Sequence, residues 1–308
     1  MAPQPFALFC SLERNSQKRT SANFGDSVVR SLLCRAGLAL FPLIVAQSLS
    51  AGTPEGIDAL DKGDFEAAAK EFESAWQQGD ANGAFYLGRM FELGLGTDVD
   101  FTRAAELFQV AATGGSAPGM NRLGLMFLDG QGTIRDFHRG AELVCKAAEA
   151  GDANGEFNCG AVLLDGKGIS ADPDRAHQFW SKAADGGHIA AANLLGVALK
   201  SGEGIAKDPA RAYALFSATA AKGNAMGLYE SALALDAGEG VAKDPVTAYA
   251  YANIAAALGH PGAPELRDRI EGTLSKEDIA RGQTLARDLV ATLEKTASPA
   301  AAATPQGN

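Results

Sequence analysis

The residues of this 308-residue chain whose types could support chemistry are four histidines, four cysteines and five Gly-x-Gly pairs. The histidines are His138, His177, His188 and His260; no two stand at the i, i+4 spacing of a helical metal site, and no cysteine is near enough in sequence to complete one. There is no Gly-x-Ser-x-Gly, and no cysteine has a histidine partner in phase. The abundant carboxylates spread over helix caps and solvent faces. The expectation is a chain without metal, cofactor or catalytic centre. The glycine pairs, Gly94/Gly96, Gly130/Gly132, Gly166/Gly168, Gly202/Gly204 and Gly238/Gly240, could cradle phosphate. Each follows a helical pattern and not a strand, and none is followed by Lys-Ser or Lys-Thr, so their use is structural: a tight turn between antiparallel helices.

The elements that position these residues recur every 36 residues, the spacing between successive Gly-x-Gly pairs. In the same register run Leu87-Gly88, Leu123-Gly124, Cys159-Gly160, Leu195-Gly196 and the variant Ser231-Ala232. An acid follows at Asp100, Asp136, Asp172, Asp208 and Asp244, and each unit closes on Gly115, Gly151, Gly187, Gly223 or Gly259. A fixed period of this length marks a repeat architecture. Each unit predicts two helices. In the third, Ala153 to Asp165 forms the first, and a second begins at Asp172-Pro173 and buries Ala176, Phe179, Trp180, Ala183 and Ala184. Asp as N-cap and Pro at the first helical position suit the unpaired N–H groups there.

Cys145 and Cys159 lie symmetrically about Asp152, on the second helix of one unit and the first helix of the next. Antiparallel helices would bring them to one level, where a disulfide can form; Cys159 also sits in a buried leucine column, where a free cysteine packs as a small hydrophobe. Both readings stand on the sequence.

The pattern A-x3-LG-x-[LM]-[FY]-x2-G-x-G, followed by an Asp, an Ala-rich helix and a terminal Gly, resembles the Sel-one-like repeat (SLR) family, relatives of the tetratricopeptide repeats. Its copy from Ala117 carries Leu123-Gly124, Met126-Phe127, Gly130, Gly132, Asp136, Ala147-Ala148 and Gly151, and the likeness covers roughly residues 56 to 262. Cys159, Gly140 and Ser231-Ala232 depart from it. The resemblance implies an all-α, α/α superhelical solenoid whose concave side is lined by the first helices and binds a protein or peptide. Carried over, the inward columns contain Asn82, Pro118, Asn154, Ala190 and Met226; Phe85, Asn121, Phe157, Asn193 and Tyr229; and Arg89, Leu125, Ala161, Val197 and Leu233. Spaced aromatics with asparagines between them suit an extended peptide, with Arg89 and Glu92 expected in solvent. Cys145 and Cys159 resemble the pair in a disulfide-stapled branch of the family, where the two cysteines lie closer to the connecting turn. Exported members imply a non-catalytic adaptor in envelope assembly or in restraint of a membrane signalling protein. The alternatives are a cell-wall-directed, β-lactamase-like hydrolase and a secreted effector that meets a host protein.

Flanking segments complete the organisation. Arg30 and Arg35 precede the apolar run Ala36 to Ala46, and small or polar residues follow to Ala51; this predicts an export signal over 1–51, too short in its apolar core to span a bilayer, with an uncleaved membrane-proximal anchor as the alternative. Its 35-residue leading part points to a true start near Val28 or Val29. The mature chain is expected in the periplasm or outside the cell. Residues 52–80 read as a partial N-terminal repeat, 81–262 as five full repeats, 263–295 as a helical cap and 296–308 as a disordered tail. Beyond residue 51 the chain holds 22 basic and 35 acidic residues, a net −13. An acidic body argues against nucleic acid and anionic lipid as partners.

Overall fold

The computed structural model describes residues 52–297; the export signal expected over 1–51 lies outside the described residues, and of the tail expected over 296–308 the first two residues belong to the last helix while the rest lie outside the described residues. Among the described residues are fourteen helices and no strand. They are α1 (Thr53–Asp61), α2 (Phe65–Gln77), α3 (Ala81–Leu93), α4 (Phe101–Thr113), α5 (Ala117–Asp129), α6 (Phe137–Glu149) and α7 (Ala153–Asp165), followed by α8 (Pro173–Asp185), α9 (Ile189–Ser201), α10 (Pro209–Ala220), α11 (Ala225–Ala237) and α12 (Pro245–Ala257). The chain ends in α13 (Ala263–Glu271) and α14 (Lys276–Ala297). It divides into two compact units, Met1–Ala104 and Ala105–Asn308.

The repeated acid caps each second helix. The Asp136, Asp172, Asp208 and Asp244 carboxylates accept the backbone N–H of Arg139, Arg175, Arg211 and Thr247 at 3.0, 3.1, 3.0 and 3.1 Å. The same four residues donate their own N–H to the carbonyls of Phe127, Leu163, Leu199 and Leu235, and Asp100 does so to Phe91, so all five Gly-x-Gly loops close through the same bond. At Gly168 and Gly240 the demand for glycine is double. Their φ values are 83° and 77°, and a Cβ would come within 2.1 Å of the Phe137 carbonyl oxygen and 2.2 Å of that of Pro209.

Glycine in the Leu-Gly column is a matter of packing. A Cβ on Gly124, Gly160 or Gly196 would meet Val144 at 2.7 Å, Trp180 at 2.4 Å and Phe216 at 2.7 Å, so its absence admits a large side chain from the second helix of the same repeat. In the last repeat Ala232 replaces glycine and the opposing column holds Ala252, both fully buried in one cluster. The departure from the pattern is thus matched by its partner. Ser231 beside it is fully buried, and its hydroxyl finds no hydrogen-bond partner.

In the first unit, Asp64 caps α2 by accepting from Ala67, and Ala68, Phe72 and Ala75 are fully buried. The Phe72 ring stacks on Tyr86 at 4.8 Å between centroids. In the second unit, α14 starts with Ser275 accepting from the Asp278 N–H at 3.1 Å. It closes the apolar surface of α12: Ala286, Leu285 and Leu289 pack with Ala250 and Ile254.

Candidate functional site

In the second unit the first helices α5, α7, α9 and α11 form one layer and the second helices the other, and side chains in each layer reach the neighbouring repeat. The aromatic–asparagine column does so on the first-helix side. Phe157 stacks on His188 at 4.7 Å, Asn193 donates through Nδ2 to Asn224 Oδ1 at 2.9 Å, and Tyr229 stacks on His260 at 4.0 Å. His188 and Asn224 are themselves N-caps, of α9 and α11. From Phe157 to Tyr229 the residue met changes with the column, from His188 to Asn224 to His260.

Of the asparagines expected to meet a peptide, Asn121 and Asn193 instead pair between repeats. Asn121 is 4% exposed and accepts from Asn158 Nδ2 at 2.8 Å; Asn193 is 5% exposed and also accepts from the Thr219 hydroxyl at 2.8 Å. Their amide groups are consumed between repeats, since a buried amide must be paired. Phe157 and Tyr229 are half-buried, one ring face covered by a histidine. Asn154 is exposed.

In the first unit Asn82 is half-buried at the start of α3, where its backbone N–H donates to Asp80. Half-buried Phe85 meets Tyr86 edge-on at 5.0 Å. Arg89 was expected in solvent with Glu92. Instead Glu92 is 7% exposed and its carboxylate pairs with the Arg89 guanidinium, because burial of a charge requires a counter-charge.

The face left open is aliphatic. Leu194 and Val197 on α9 are 38% and 37% exposed, and Val197 continues a stripe of half-buried Leu125, Ala161 and Leu233 from the other first helices. Leu194 was not singled out by sequence because its column reads Tyr86, Arg122, Asn158, Leu194, Glu230, without a pattern.

Cys145 and Cys159 are joined by a disulfide that ties α6 to α7. Cys159 is fully buried among Ala148, Leu163, Ala176 and Phe179, and Cys145 borders the same cluster. The second-helix layer holds an arginine ladder that sequence reasoning missed. Arg139 donates to Gln109 Oε1 and Arg211 to the Ser181 hydroxyl, each at 2.7 Å and 30 residues away. In that acceptor column the intervening residue is Cys145, and Arg175 turns instead to Glu149 at 3.7 Å. The signal was present in the sequence: Arg103, Arg139, Arg175 and Arg211 keep the 36-residue period.

Titratable groups gather where the third two-helix unit meets the fourth. Burial raises the carboxyl pKa of Asp152, against the stabilising hydrogen bond from the Gly155 N–H, and burial likewise raises that of Glu156. Burial lowers the imidazole of His188, opposed by the Asp152 charge, and that of His177. Among the described residues no three His, Cys, Asp or Glu side chains are placed to hold a metal ion, and no helix is long and apolar enough to cross a membrane.

A family model described as Sel1 repeat matches residues 81–116, 117–152, 153–188, 189–224 and 225–260. Among solved structures, a Sel1 repeat protein from Oxalobacter formigenes is 25% identical with a TM-score of 0.64, covering 77% of this chain and 99% of that one. A Sel1 repeat protein from Klebsiella pneumoniae is 22% identical over 66% of this chain and 99% of its own, with a TM-score of 0.44. A protective antigen of uropathogenic Escherichia coli strains, displaying an SLR fold, is 20% identical over 83% and 73%, with a TM-score of 0.39. No curated protein matches the chain.

Proposed function

This chain belongs to the Sel1 repeat family, whose helical solenoids serve as protein-interaction scaffolds, and from that premise we propose that it is a non-catalytic exported adaptor. Its partner is a protein or peptide, held on the first-helix face of residues 105–297. The observation that carries this reading is the aliphatic stripe of Leu125, Ala161, Val197 and Leu233 with Leu194 beside it. Asn121, Asn193 and one ring face each of Phe157 and Tyr229 are already engaged between repeats, so a partner would meet the apolar area of the stripe with exposed Asn154 on the same helix layer. Exposed apolar surface with a polar surround is a common mark of a binding face. The role in envelope assembly, or in restraint of a membrane signalling protein, rests on the Arg30 to Ala51 stretch, which has the composition of an export signal.

The test is a cross-linking capture from the periplasmic fraction with the wild-type chain and with Leu194→Glu/Val197→Glu. Both side chains are exposed, so the variant should keep its fold, which circular dichroism checks. Partners recovered only by the wild type support the adaptor. Equal recovery by both chains removes the first-helix face from the account, and finding the mature chain only in the cytoplasm removes export.

A further inference from the structure

Four of the five first helices from α3 to α11 are capped by side chains other than an imidazole: Asp80, Ser116, Asp152 and Asn224. The fifth, α9, is capped by an imidazole. The Ala191 N–H donates to His188 Nδ1 at 3.1 Å, which fixes the neutral tautomer with its proton on Nε2. An imidazolium carries protons on both nitrogens and cannot accept this bond. Its charge would also face the positive end of the α9 dipole.

We propose that where the third unit meets the fourth, the repeat array has a proton-sensitive hinge, in which protonation of His188 removes the cap of α9 and loosens the start of that helix. The stacked Phe157 ring ties the hinge to the core, since the Phe157 carbonyl accepts from Trp180 Nε1 at 3.0 Å. Asp152 and Glu156 face the junction from α7, Lys182 from α8, and Lys222, beyond α10, donates to the Gly187 carbonyl at 2.9 Å. Asp152 favours the imidazolium; burial opposes it and is the larger effect. A histidine held neutral in this way contributes stability that is present above the ordinary imidazole pKa of about 6.5 and is lost as pH falls through its lower folded value. Asp152 and Glu156, with raised values, act in the opposite sense at lower pH. His260 supplies a contrast within the same unit: its ring stacks on Tyr229, yet its Nδ1 finds no hydrogen-bond partner, so it caps nothing.

NMR on the intact chain between pH 7.5 and 5 tests the hinge. The Ala191 amide shift should follow the His188 titration. Protection of that amide, corrected for intrinsic exchange, should fall about fivefold below the midpoint, the effect of losing a cap. The Gly227 amide, capped by Asn224 at 2.9 Å, should not respond. His188→Asn, which copies the cap that the chain itself uses at 224, should abolish the pH dependence. A parallel response of Ala191 and Gly227 in the wild type overturns the proposal whether or not the variant folds, as does a fivefold loss that persists in the variant.

Discussion

Both faces of the second unit join each repeat to the next through residues about one repeat apart, but they do so under different rules. On the first-helix face the rungs are Phe157 with His188, Asn193 with Asn224 and Tyr229 with His260, and both members change together. On the second-helix face the donor stays arginine while the acceptor is a glutamine amide or a serine hydroxyl. The difference follows from water. A buried or half-buried rung has no solvent to complete a mismatched pair, so ring must meet ring and amide must meet amide. An exposed arginine can exchange a lost partner for water at little cost.

The two faces are joined at Trp180, which belongs to the second-helix layer but reaches the first through its bond to the Phe157 carbonyl. Trp180→Ala should cost about 3–5 kcal/mol in urea unfolding, by opening a cavity against Gly160. Reduction of the Cys145–Cys159 bridge should cost about 3 kcal/mol in the chain-entropy model for a loop of this size, read as a fall in midpoint with thiol present. Next comes a broken amide rung. Asn193→Ala strips Thr219 and Asn224 of a partner and should cost about 1–3 kcal/mol. At the other face Arg211→Ala, which removes an exposed rung, should stay within about 0.5 kcal/mol. Equal losses for Asn193→Ala and Arg211→Ala would erase the distinction between the faces.

Much of this fold can be read from the residues. The 36-residue spacing, the Asp caps and the glycine pairs report local backbone requirements, and each repeats in register. The direction of a side chain around its helix is less accessible. A period says which positions are equivalent, whereas one residue turns a helical side chain by about 100° and decides whether it faces a partner or a neighbouring repeat. Asn121, Asn193 and Glu92 went astray for that reason. The histidine–aromatic stacks and the arginine ladder join residues about 30 apart, so no local pattern displays them. The column of arginines was nonetheless visible. It was unread because arginine on a helix surface looks like solvation until its partner in the adjoining repeat is known.

Whether a protein partner rests on the first-helix face is decided by placing a photoreactive side chain at Val197 and, separately, at Arg211 in the exported chain. The account predicts a discrete cross-linked partner from position 197 and none from position 211, with the product at 197 lost on Leu194→Glu. A partner captured at 211 and absent at 197 would contradict it and move the binding surface to the second helices.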